Sequence, residues 1–138
     1  SISLAGCRHH CRGCQNPESW NPSAGTPLTP EKIEKIICEI NANPLLDGIT
    51  FSGGDPLHSA NRADVKSLMA EIKVKYPDKT IWLYTGDSWE NIMKAPEAAL
   101  NIVVRNELVI VDGRFEPDLY SPYLEFRGSS NQRIIRVR

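Results

Sequence analysis

Between Thr29 and Asn43 the apolar positions Ile33, Ile36, Ile37 and Ile40 fall three and four apart, so a helix would gather them into one stripe. Thr29 suits the N-cap of that helix, Pro30 its first turn and Glu31 the positive end of its dipole. The same period returns in Val65, Leu68, Met69, Ile72 and Tyr76, behind an Asn61–Asp64 pair with capping-box spacing. Around these helices stand short, nearly continuous apolar runs: "SISLA", Ile49 to Ser52, "TIWLYTG" and "ELVIVDG", with a weaker helix predicted around "SWENIMKA". Strands of that kind, alternating with helices, predict a mostly parallel sheet buried on both faces.

A closed barrel of eight such units takes about 250 residues, and this chain of 138 holds only four or five. The predicted fold class is therefore α/β, with an open sheet or a partial β/α barrel. In such sheets ligands gather at the carboxyl ends of the strands. The cysteine-rich loop after "SISLA", the turn "SGGDP", Thr85 and Gly86 in "YTG", and "VDG" all fall on that rim. From Arg114 onward the periodicity fades into "RFEPDLYSPYLEFRGSSNQRIIRVR", expected to wrap the open edge or its rim.

Composition narrows the picture. Sixteen basic and 17 acidic residues, mixed along the chain, leave a net charge of −1, so no polybasic face points to nucleic acid or an anionic membrane. A hydrophobic fraction of 41% is enough for one core, and residues 1–138 read as a single domain. No apolar run approaches the roughly 18 residues of a membrane-spanning helix, which predicts a soluble, cytoplasmic protein. The chain opens on Ser1 and runs straight into a strand, as though further residues preceded it.

The candidate chemistry lies in "GCRHHCRGCQN". Cys7, Cys11 and Cys14 are spaced C-x3-C-x2-C, and Cys38 stands a helix away, so a disulfide framework does not fit. Structural zinc wants four closed ligands, usually from two pairs, and only His9 or His10, inside the same short loop, could supply a fourth. A [4Fe-4S] cube on three thiolates leaves one iron for a small chelating ligand. Gly6 and Gly13 let the loop wrap such a group closely. Cys38, a solitary helix thiol, is assigned no function.

These residues resemble the radical S-adenosylmethionine enzymes, whose C-x3-C-x2-C loop follows the first strand of a partial barrel. "GCRHHCRGCQNPESW", "TFSGGDPL", "IWLYTG", "VDGRF" and "RGSSNQR", in this order, are similar to the branch that activates anaerobic ribonucleoside-triphosphate reductase. Gly13 stands where most of the superfamily has an aromatic, as in that branch, and Gln15 replaces the branch's usual aromatic after the last cysteine. The resemblance implies a partial barrel of the radical SAM type. It also implies a [4Fe-4S] cluster on Cys7, Cys11 and Cys14, and S-adenosylmethionine held by Gly13, Cys14, Gln15, Gly53, Gly54, Asp55 and Thr85. Asp55 would balance positive charge there. The chemistry would be carried by cluster and S-adenosylmethionine, with no side chain acting as acid or base.

The implied partners are the reductase large subunit, on which a glycyl radical is made, and a reduced flavodoxin- or ferredoxin-type donor. Alternatives are an activase of another glycyl radical enzyme, such as pyruvate formate-lyase, a small deazapurine synthase, or a zinc-stapled binding module. For His9 the sequence leaves a hydrogen bond behind the ligands or simple exposure. Trp82 reads as core, Trp20 as a shield or staple for the cysteine loop, and "FRGSSNQR" as a border of the site's mouth.

Overall fold

The computed structural model describes residues 1–104 and 106–138. Five strands form one sheet: β1 (Ile2–Leu4), β2 (Gly48–Gly53), β3 (Thr80–Tyr84), β4 (Leu108–Asp112) and β5 (Arg133–Val137). Their spatial order is the chain order, with β1 to β4 parallel and β5 antiparallel to β4. Helices α1 (Pro30–Ala42), α2 (Arg62–Lys75), α3 (Trp89–Ile92) and α4 (Glu97–Val104) make the crossovers. Parallel crossovers are right-handed almost without exception, so a sheet that always steps to the same side carries its helices on one face.

That face holds the core. Ile49 and Phe51 of β2, Ile81 and Leu83 of β3 and Leu108 and Ile110 of β4 pack with Val65, Leu68, Met69 and Ile72 of α2 and Ile102 and Val103 of α4. Each such side chain contributes about 1.5–3 kcal/mol by leaving water. Thr29 caps α1 as predicted, its Oγ1 accepting from the Lys32 amide at 3.3 Å. The capping box before α2 does not form: Asn61 donates its Nδ2 to the Asp55 carbonyl at 2.9 Å instead.

Three further readings are corrected. β2 and β3 are not buried on both faces, because Thr50, Ser52, Trp82 and Tyr84 alternate with the core positions and stay half-buried on the far side. Trp82 is thus no core residue; it packs against Phe126 with ring centroids 5.0 Å apart. And the tail does more than wrap the edge, since its last residues are β5, registered from Leu108↔Val137 to Asp112↔Arg133. α4 was not expected from the sequence at all.

Buried Asp112 ties this edge together. It accepts from the Trp89 amide at 2.7 Å and from the Arg133 amide at 3.0 Å, while Arg133 Nη2 reaches it at 2.6 Å. Arg133 also grips exposed Glu90 with two bonds, 3.0 and 2.7 Å, and these hold the Glu90 carboxyl down to about 2, against its ordinary 4.5. A carboxyl whose folded value is depressed stabilises the fold above its unfolded value and loses that contribution as pH falls through the folded one. Glu90→Gln is therefore expected to flatten the loss of stability between pH 4.5 and about 2, read as urea midpoints across that window, and to leave the midpoint at pH 7 only slightly lower.

Candidate functional site

The chain leaves β1 at Gly6 and enters the cysteine loop, pinned at once by Gly6 N–H to Ser19 O (2.7 Å) and Cys7 N–H to Trp20 O (3.0 Å). Trp20 stacks on His10 at a centroid distance of 4.4 Å, so it staples the loop. After β2 the "SGGDP" turn lies directly against this start, with Gly54 N–H to Leu4 O at 2.6 Å and Asp55 N–H to Gly6 O at 2.7 Å. Gly53 has a φ of +93°, and a Cβ on Gly54 would lie 2.6 Å from Gly6 O. Any side chain here would force two backbones apart.

Asp55 is 2% exposed and braces the rim. Its Oδ1 accepts from the Leu57 amide at 2.9 Å; its Oδ2 accepts from His9 Nε2 at 2.8 Å, Thr85 Oγ1 at 3.0 Å and the Gly86 amide at 3.1 Å. Protein donors thus engage both carboxylate oxygens. His9 is buried, and its Nδ1 accepts from Arg114 Nε at 3.3 Å, which places its proton on Nε2. Gly86 makes room for that ring: a Cβ there would fall 2.4 Å from His9 Cδ2.

A cavity of about 320 Å³ opens on this rim. Cys7, Cys11, Cys14, Gln15, Gly53, Gly54, Asp55 and Thr85 line it, so the structure brings together every predicted site residue except Gly13, which lies outside against Pro117. Cys38 is exposed on α1, remote from it. Tyr84, Arg114 and Phe115, to which the sequence assigns no role, also line the cavity; "YTG" and "VDGRF" held the signal, because they carry the third and fourth strands to their carboxyl ends. Gly128 and Gln132 of the predicted border segment line it too.

The three thiols are half-buried and unbonded to one another. Burial pushes the Cys7 thiol up, the His9 backbone opposes this and the Asp55 charge adds to it. Ligands of one tetrahedral zinc stand about 3.8 Å apart at a Zn–S distance of about 2.3 Å. Among the described residues the cysteine sulfurs do not all lie within 4.8 Å of one another. His9 has both ring nitrogens engaged, by Asp55 and Arg114, and His10 is stacked on Trp20. Three spread thiols lining an open cavity fit a larger group with a vacant corner, as an iron–sulfur cube provides.

A family model described as "4Fe-4S single cluster domain" matches residues 1–135. The chain is also similar to proteins named anaerobic ribonucleoside-triphosphate reductase-activating protein. Those of Salmonella typhi and Escherichia coli K12 are 38% and 36% identical, each over the whole of this chain and 88% of the relative. That of Enterobacteria phage T4 is 34% identical over 96% of this chain and 80% of the relative. No solved structure matches. The chain belongs to the anaerobic ribonucleoside-triphosphate reductase-activating protein family, within the 4Fe-4S single-cluster class. Among the described residues no helix is long and apolar enough to cross a membrane.

Proposed function

We propose that this protein is a radical SAM activase that places a glycyl radical on anaerobic ribonucleoside-triphosphate reductase. Its single domain, residues 1–138, would be an open β/α barrel whose rim holds the cluster on Cys7, Cys11 and Cys14. The observation that carries this is the sharing of one cavity by those three thiols and the Gly53–Gly54 turn, in a chain whose relatives are named activating proteins of that reductase. Held by Cys7, Cys11 and Cys14, the cluster would supply the one electron needed for reductive cleavage of S-adenosylmethionine, and with it the means to remove a hydrogen atom from the target glycine.

The chain's own residues bind, orient and shield. Gly53 and Gly54 offer backbone at close range, Gln15 flanks the last cysteine, and Thr85, oriented by its bond to Asp55, faces the same space. Asp55 acts through them, holding the cysteine loop against the end of β3. The open side of the sheet leaves room for a peptide segment of the reductase large subunit, and a reduced flavodoxin- or ferredoxin-type protein would deliver the electron. Anaerobic protein reconstituted with iron and sulfide, then given dithionite and S-adenosylmethionine, is expected to form 5′-deoxyadenosine. With the reductase large subunit present it should raise a glycyl signal in electron paramagnetic resonance. Cluster-loaded protein that yields neither product would end this reading.

A further inference from the structure

We infer that a small acidic one-electron carrier protein docks on the helix side of the cysteine loop, with Arg8, Arg62 and His58 receiving its carboxylates. The inference rests on the proposed function, because it takes the cluster as the electron's destination. Residues 1–17 hold two arginines and two histidines and no carboxylate, in a chain whose net charge is −1, so basic charge gathers at the cysteines. Part of it faces a recess of about 270 Å³, where Arg8 and His58 meet Arg62 at the start of α2, Asn91 of α3 and Ala99 of α4. The one carboxylate lining the recess is Asp87. Two guanidinium groups against a single carboxylate leave an excess of positive charge that draws an acidic surface toward it.

The recess lies beside the cluster ligands yet apart from the cavity they line. Cys7 lines the cavity and Arg8, the next residue, lines the recess, and the two hollows share no lining residue. A carrier seated there leaves the cavity open, so S-adenosylmethionine and the reductase segment can be in place when the electron arrives. The carrier is oxidised by one electron and the cluster reduced by one, with no bond made or broken. Arg62 Nε donates to the Leu57 carbonyl at 2.8 Å, while its Nη1 and Nη2 have no hydrogen-bond partner among the described residues. The Arg8 side chain is 64% exposed and engages Asp87 through Nη2, at 2.6 Å. His58 Nδ1 accepts from the Ala60 amide at 3.0 Å, which leaves Nε2 as its donor. A guanidinium anchored through Nε keeps its paired Nη hydrogens for two-pronged binding of a carboxylate, and the anchoring lowers the ordering cost of that contact.

The test titrates a flavodoxin of acidic surface into cluster-loaded protein by calorimetry. It also compares 5′-deoxyadenosine formation driven by that flavodoxin, reduced, with formation driven by excess dithionite. Arg62→Glu is expected to weaken flavodoxin binding about 10-fold at low ionic strength, the gap closing as salt is added. Its flavodoxin-driven rate at sub-saturating carrier should fall alike, while the dithionite-driven rate, the iron content and the circular dichroism stay as they were. Arg8→Gln should weaken binding by a smaller factor, and Lys35→Glu, an equal charge reversal at an exposed position of α1, should leave it unchanged. Equal losses in Arg62→Glu and Lys35→Glu would reduce the effect to net charge, and unchanged binding in Arg62→Glu would remove the recess from docking. Should Arg62→Glu fail to fold, Arg8→Gln decides alone, unchanged binding overturning the inference. Wild-type protein that cleaves S-adenosylmethionine with dithionite yet binds no flavodoxin would overturn this inference and spare the proposed function. No cleavage with dithionite would end the proposed function, and this inference with it.

Discussion

Alanine at any one of Cys7, Cys11 or Cys14 is expected to abolish cluster assembly almost completely, whereas Cys38→Ala should leave iron and sulfide per chain unchanged. The three loop thiols line one cavity and Cys38 is exposed on α1. In a cube each protein thiolate holds a different iron, so no loop cysteine can stand in for another. Iron and acid-labile sulfide analysis of anaerobic samples, beside their visible absorption, checks the set. A loop variant that retained a full complement, or a Cys38 variant that lost it, would redraw the ligands. Because the loop is pinned by its own backbone bonds to Ser19 and Trp20, the variants should remain folded, and their circular dichroism should match the wild type.

The second large effect is expected at Asp55. Its carboxylate accepts four hydrogen bonds at 2% exposure, so Asp55→Ala strands the Leu57 and Gly86 amides, the Thr85 hydroxyl and His9 Nε2 at once. Unpaired buried donors cost about 1–3 kcal/mol each, and removing one side of a buried charged network costs about 3–5 kcal/mol in all after water and side chains adjust. Urea unfolding of the cluster-free protein measures this without interference from iron. Asp55→Asn should recover only part of the loss, because its amide nitrogen faces donors. A midpoint shift below about 1 kcal/mol for Asp55→Ala would mean that the brace is dispensable.

Much of this architecture was legible in the chain because local signals agreed. Around α1 the cap, the proline and the isoleucine stripe point the same way, and the parallel strands stand out as apolar runs ending in glycine. The misreadings have physical causes. β5 lies at an edge, and of "RIIRV" only Val137 is buried, so no apolar period marks it. In "EAALNIVV" nearly every position is apolar or small, which hides the helical period of α4. Asn61 had the spacing of a cap, but a carbonyl six residues back won its side chain. The cysteine loop announced itself through spacing alone. The His9–Asp55 contact did not, since 46 residues separate the partners; nothing local marks a pairing that only the parallel crossover creates.

Residues 114–132 leave β4 and return as β5, so the ladder between those strands holds both ends of the segment. Its exposed members include Tyr120, Tyr123 and Phe126, while Gly128 and Gln132 reach the cavity. For a segment clamped in this way, doubling the length adds only about 0.6 kcal/mol of closure entropy. Selection can therefore lengthen, shorten or repaint the exposed middle of this stretch while the cysteine loop, stitched to β2, stays as it is. The two ends of the segment keep lining the cavity beside the cysteines, so such variation is confined to its outer turn, from Tyr120 to Phe126.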